Sequence, residues 1–429
     1  MKINNKILVL YYLVLLFVML SWTNTTEAPN IIIRSGFLLA VVIPSLISEK
    51  CFLAPVIICF LSISQNGFAH SYMPDTLIYY VIILLLGIIV AKPVKNYFKV
   101  PSYLWITFLY VIMINLVTGF AIERISYTFI IAILLLFFTS NQSKKDINLW
   151  SFCFVLASLV LSILFIFNRD KFAMDYHGIG LEQTTWMDPN YFGVVIGMGG
   201  VIALLDLVDR NDDVENATKP LYIKIVYIVT IVLSLFTLVL NASRGALLAT
   251  GMALVLTIMS TKGNLYGKIV LTITIIISLV YIYRNSFFDF LMYRLENEDV
   301  EGANGRYIIW ERKIDSFFNG NFFSIIFGNG YQGGLSLGYT NKIGTHNDFV
   351  GFLVEYGIIG LFLFLQMIIK PVFHVIKNKE NVTKVLVLML FLSICCFTIE
   401  PITGAYIPNL FFYFYIVLVA YSRKREASI

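Results

Sequence analysis

Residues Leu221 to Leu240 read LYIKIVYIVTIVLSLFTLVL, with Lys224 as the one charge in twenty positions; Asn241, Ala242, Ser243, Arg244 and Gly245 follow, and a second apolar run starts at Ala246. Twenty residues of α-helix rise about 30 Å, the thickness of a bilayer's hydrocarbon core. With no water in that core, a spanning backbone must satisfy its polar groups internally, so these runs are membrane helices. Working outward, runs of about 15–22 apolar residues start near Ile7, Ile31, Cys51, Thr76, Tyr103, Ile125, Leu149, Tyr191, Leu221, Ala246, Ile269, Val350, Val385 and Ala405. The composition agrees: the 429 residues are 59% hydrophobic and 13% charged, with a mean hydropathy of +0.81. A soluble domain is about 45–50% apolar and about 25% charged. The expected fold is an all-α polytopic membrane protein of about 12–14 transmembrane helices. It forms a single membrane domain over 1–429, with one long external loop at 284–345.

Lysines assign the sides. The first run follows Lys2 and Lys6 without a small-residue cleavage site after it, so it is expected to be a retained span with the N-terminus inside. The clusters Lys92, Lys95 and Lys99, Lys144 and Lys145, and Lys370, Lys377, Lys379 and Lys384 then fall in the cytoplasm, as does the C-terminal Arg423, Lys424 and Arg425. Counted by side, the interior holds 17 Lys and 3 Arg and the exterior 3 Lys and 8 Arg, which accounts for all 31. Lysine suffices to set topology, whereas the planar guanidinium suits bidentate capture of phosphate or carboxylate. The external arginines therefore read as binders. The net charge of +5 excludes little, because topology alone requires lysines. The five cysteines lie in or beside apolar runs with no ligand-type spacing, so neither a disulfide framework nor a metal site is expected.

Three stretches carry chemistry. His346, Asn347 and Asp348 open an apolar run that continues through Gly357 and Gly360. A histidine at a helix N-terminus stays neutral beside the positive end of the dipole and is able to act as a general base. Asn347 or Asp348 is placed to cap the helix, and Gly357 with Gly360 would admit a neighbouring helix. The alternative is an interfacial histidine without chemistry. Ser243, Arg244 and Gly245 form a turn at the bilayer surface, where an arginine is costly unless it snorkels or meets an anion; the exposed amides of such a turn help hold phosphate oxygens. Within the long loop, Gly305 and Arg306 to Trp310 precede Gly328, Asn329 and Gly330, and Trp310, Phe317, Phe318, Phe322 and Phe323 fit an amphipathic helix lying at the interface. In the other external loop, Asp188 and Asn190 are able to hydrogen-bond sugar hydroxyls and Trp186 to stack on a sugar face, although Pro189 also reads simply as a helix start. Glu296, Glu298, Asp299 and Glu301 read as a solvated acidic run, not a cation site, and His70, His177 and His374 show no partner pattern.

Taken in order, the Ser243-Arg244-Gly245 turn, Gly305-Arg306 to Trp310 with Gly328-Asn329-Gly330, and His346-Asn347 to Gly357 and Gly360 resemble the signature region of the O-antigen polymerase and ligase superfamily, the Wzy-type membrane glycosyltransferases. The Asp188-Pro189-Asn190 segment is similar to the capsule and exopolysaccharide polymerases of that group. Phe349, with Phe352 or Leu353, departs from the leucines commoner in the motif. The resemblance implies glycosyl transfer without metal or cofactor, from a polyprenyl-pyrophosphate-linked oligosaccharide donor to a lipid-linked acceptor. It places the reaction on the external face of a bacterial cytoplasmic membrane, with both termini inside. His346 would then be the base, Arg244 and Arg306 would hold the pyrophosphate, and Arg294 would assist. Ser243, Asn347, Asp188, Asn190 and Trp186 would contact substrate. Membrane lipids, chain-length regulator and flippase proteins are the implied partners, and no nucleic acid. A ligase delivering the same donor to another acceptor is the near alternative, and a flippase for lipid-linked sugars the distant one.

Overall fold

The computed structural model describes residues 11, 14, 101–118, 144–167, 189–208, 221–241, 243–260, 306–330, 345–399, 402 and 407–421. Among them, all regular structure is helical. The elements are α1 (Ser102–Val117), α2 (Lys144–Phe167), α3 (Pro189–Val208), α4 (Leu221–Asn241), α5 (Arg244–Ser260), α6 (Arg306–Phe318), α7 (Phe322–Phe327), α8 (Asp348–Asn378), α9 (Val382–Thr398) and α10 (Ile407–Tyr421). Eight of the runs read from sequence are these helices. The other six lie outside the described residues, apart from Tyr11 and Val14. The helices at 190–208, 221–241 and 348–378 are long and apolar enough to cross a membrane.

The bundle is built around α3, which is apolar on every side and so belongs inside a membrane bundle rather than on its surface. Its small residues bring a different neighbour close at each turn. Gly199 abuts Ser158 of α2, Gly200 abuts Ser234 of α4, and Gly197 abuts Thr250 of α5 and Phe391 of α9. A side chain at any of them would push that neighbour away, and close backbone approach is what drives helix association where lipid competes with every apolar surface. Exposed stripes mark the opposite behaviour: Ile106, Leu109, Met113 and Leu116 on α1, and Leu248, Met252, Val255 and Met259 on α5, face outward at helical spacing.

At one end of the bundle, Asp206 of α3 meets Lys384 of α9 at 2.6 Å, with side chains 7% and 11% exposed. Lys384, read from the sequence as one of a cytoplasmic cluster of topological charges, neutralises a buried carboxylate. Tyr415 of α10 lies beneath the ammonium, 5.8 Å from ring centroid to Nζ, and its hydroxyl is 2.6 Å from Ser151 of α2. Four helices are joined at this point by polar contacts inside an apolar bundle.

Helix α8 is not one rod. Gly357 takes φ 69° and ψ −171° in its interior. In a straight helix Phe352 and Phe364 would be about 18 Å apart along the axis, yet their rings stack with centroids 4.4 Å apart, and Phe349 meets Phe364 at 5.2 Å. The chain therefore folds sharply at Gly357, and the short leg 348–356 leans back on the first turns of the longer leg 358–378. Carbonyls freed by the break are taken up by neighbours. The Gly330 amide donates to Glu355 at 2.8 Å, and the Tyr110 hydroxyl of α1 lies 2.9 Å from the Tyr356 carbonyl and 3.1 Å from that of Phe327. Gly357 does admit a neighbour, the end of α7: a Cβ there would lie 2.3 Å from the Ile326 oxygen, and one on Gly328 2.2 Å from the Glu355 oxygen. Gly360 does not admit one, because the space at its Cα is taken by Tyr356 of its own helix.

The aromatic segment expected as a single interfacial helix is two. Asn321 caps α7 by accepting from the Ser324 amide at 2.8 Å, which separates it from α6. Trp310 and Phe317 turn inward, Phe317 being fully buried, while Phe318, Phe322 and Phe323 are exposed.

Candidate functional site

Helix α4 ends at Asn241 and Ser243 directly precedes α5, so Arg244 is the first residue of α5. Ser243 is fully buried. Its hydroxyl donates to Asn190 Oδ1 at 3.4 Å, and its backbone carbonyl accepts from Leu247 at 2.9 Å, closing the first turn of α5. Gly193, one turn after Asn190, allows this approach, since a Cβ there would meet Ser243 at 2.8 Å. Two residues expected to contact substrate, Asn190 and Ser243, are thus brought together. Asn190 is half-buried and Ser243 sits behind it.

The same turn rests on the last residues of α9: a Cβ on Gly245 would lie 2.6 Å from the Thr398 hydroxyl. Arg306, the first residue of α6, reaches this point from the long loop, and its Nη1 donates to the Thr398 carbonyl. Such a carbonyl at a helix C-terminus carries partial negative charge. It holds the guanidinium in place.

His346 stands two residues before α8 with φ 48°, in the left-handed region that residues bearing a Cβ rarely adopt. It is half-buried. The residues around it are tightly tied. Trp310 of α6 donates its indole N–H to the Thr345 carbonyl at 2.7 Å, and the Thr345 hydroxyl donates to the Asn347 carbonyl at 2.9 Å. Asn347 is the helix cap, with its Oδ1 accepting from the amides of Phe349 at 2.9 Å and Val350 at 3.2 Å. Asp348, fully buried, accepts from the Ile402 amide at 3.0 and 3.2 Å. Trp310 and Phe349 both pack their rings against Phe397, at 5.7 and 6.5 Å. The segments carrying Arg244, Arg306 and His346 therefore converge on the end of α9, between Phe397 and Ile402.

Residues 229–365 match the family model described as O-antigen ligase. Over this region the chain is similar to the O-antigen polymerase and ligase superfamily. No curated protein matches it. Besides α7, which packs on α8, the matched region contains the start of α5, α6 and the broken start of α8, which meet at the end of α9. The α9 residues that receive them, Phe397 and Thr398, lie beyond the match.

Arg294, Asp188 and Trp186 lie outside the described residues. Sequence reasoning missed Thr398 and Tyr110, whose parts are played by a backbone carbonyl and by a hydroxyl inside an apolar run; neither leaves a pattern in residue type. Asp348 was legible only as a possible cap, and Asn347 took that position. Among the described residues no three His, Cys, Asp or Glu side chains come together as metal ligands would.

Proposed function

We propose that this protein polymerises lipid-linked oligosaccharide repeat units into a surface polysaccharide on the external face of the cytoplasmic membrane. The observation that supports the reading is the convergence of the segments that carry Arg244, Arg306 and His346 on the end of α9. In this reaction His346 takes the proton of an acceptor sugar hydroxyl. The oxygen attacks the anomeric carbon at the reducing end of the growing chain, and the bond to pyrophosphate breaks. Polyprenyl pyrophosphate leaves with the electron pair, its charge met by Arg244 and Arg306 as preorganised cations. Asn190, braced by Ser243, contacts sugar together with Asp188 and Trp186, and Arg294 adds positive charge to the donor site. Chain-length regulator and flippase proteins act beside it.

Replacing Arg244, Arg306 or His346 with alanine is expected to leave the protein inserted and to abolish long chains while single repeat units persist. Wild-type chain lengths in the His346→Ala strain would remove the base from the mechanism. The family description favours a second reading, a ligase that passes finished chains to another acceptor. Deletion separates the two: single units accumulate on the carrier lipid if the protein is a polymerase, and intact polymer accumulates if it is a ligase. The broken helix α8 is a feature shared with membrane carriers, so joining of lipid-linked units by the purified protein in detergent is the observation that excludes simple transport.

A further inference from the structure

We infer that Asp348 is a positioning residue, which ties the His346 end of α8 to the rim of α9 that holds Arg306 and thereby sets the spacing between base and cation. The inference rests on the roles proposed above for His346 and Arg306. Arg306 and Asp348 bind two residues four apart in the chain, Thr398 and Ile402. The guanidinium donates to the carbonyl of Thr398, and the carboxylate accepts from the amide of Ile402. The hydrogen bonds of Trp310, Thr345 and Asn347 lock residues 345–350 to α6 and to one another. Asp348 adds the tie to α9.

A buried carboxylate is costly unless its charge is met. Here the first turn of α8 supplies the positive end of a helix dipole, and the Ile402 N–H lies between both oxygens. Fully buried and directed at the Ile402 amide and the Cys396 thiol of α9, the group acts by holding the start of α8 to these points. His346 is held with φ 48°, a conformation that persists only where the surroundings enforce it. Releasing the Asp348 tie would let this backbone relax and the imidazole shift.

The test uses the full chain in detergent, with Asp348→Ala, Asp348→Ser and Asp348→Asn. Asparagine keeps an oxygen for the Ile402 amide and serves as the rescue variant. Hydrogen exchange reads the tie without reference to activity. The Ile402 amide, which the carboxylate accepts from, is expected to exchange at least about tenfold faster in the alanine and serine variants than in wild type or Asp348→Asn. Turnover of the strain's own lipid-linked repeat unit should fall about 10- to 100-fold in kcat for alanine and serine, as small misplacements of reacting groups do, with KM within about threefold and most of the rate regained in Asp348→Asn. Unchanged exchange in Asp348→Ala overturns the inference. So does an asparagine variant as inactive as alanine with its Ile402 amide still protected, since the charge itself would then be in use. Wild-type turnover by Asp348→Ala alongside a dead His346→Ala also overturns it. If His346→Ala and Arg306→Ala both turn over normally, the proposed function fails, and the exchange data still decide whether the tie exists.

Discussion

An arginine whose Nη1 donates to a backbone carbonyl has its guanidinium plane oriented before any ligand arrives, and this is the situation of Arg306. Lysine at that position would keep the charge but would have to choose between the Thr398 carbonyl and the ligand, since it lacks the planar fork. Arg306→Lys is therefore expected to insert normally and to lose at least about tenfold in transfer rate, about 1.4 kcal/mol of transition-state stabilisation. Activity within twofold of wild type, measured at equal membrane levels, would show that charge alone suffices. The sequence marks Arg306 as a candidate binder because arginine and lysine separate by side in the expected topology. It does not mark the partner, because Thr398 lies 92 residues away and contributes a carbonyl that every residue has. The same holds for Ser243, legible as a turn residue but revealed as the support of Asn190 only by the approach of α3.

At the scale of elements, the break in α8 is the feature that shapes the site. The run from Asp348 to Asn378 is predominantly apolar on both sides of Gly357, and hydropathy has no means of registering a bend inside it. What produces the bend is the pairing of Gly357 with Gly328, each at positive φ and each too close to the other's chain for a Cβ. Gly357→Ala is expected to lower stability by at least about 1–3 kcal/mol from the backbone conformation alone, with the clash against the Ile326 oxygen added. Thermal unfolding in detergent measures this. Gly251→Ala, where no atom lies within 4 Å of the added Cβ, serves as the control and should be neutral or stabilising by up to about 1 kcal/mol. A melting temperature for Gly357→Ala equal to that of the control would mean that α8 tolerates a straighter path. The connection of α6 to α7 follows the same logic: the aromatic spacing predicted one amphipathic helix, and the Asn321 cap divides it in two.

At the scale of the whole molecule, polar contacts among the described residues include two groups at opposite ends of the bundle. The ends that lysine distribution assigns outside are the ends that meet around Thr398, and the opposite end is closed by the Asp206–Lys384 pair. Removing one partner of a buried pair strands the other, so Asp206→Ala is expected to cost about 3–5 kcal/mol, whereas replacing both with Leu and Met should recover most of it. Equal melting temperatures for the single and double variants would place the stabilisation elsewhere. By itself the sequence determined the class, the positions of eight described helices to within a few residues, and the three segments that carry the family's motifs. It could do so because lipid imposes length and apolarity on every span, and these are local properties of the chain. Only the tertiary structure decided that α3 is the centre, that α8 folds at Gly357, that Lys384 is buried, and that the three segments close on the end of α9. Those outcomes depend on which surfaces approach closely enough to pack and on which carbonyls and amides pair across the bundle, and neither is written in the order of residue types along the chain.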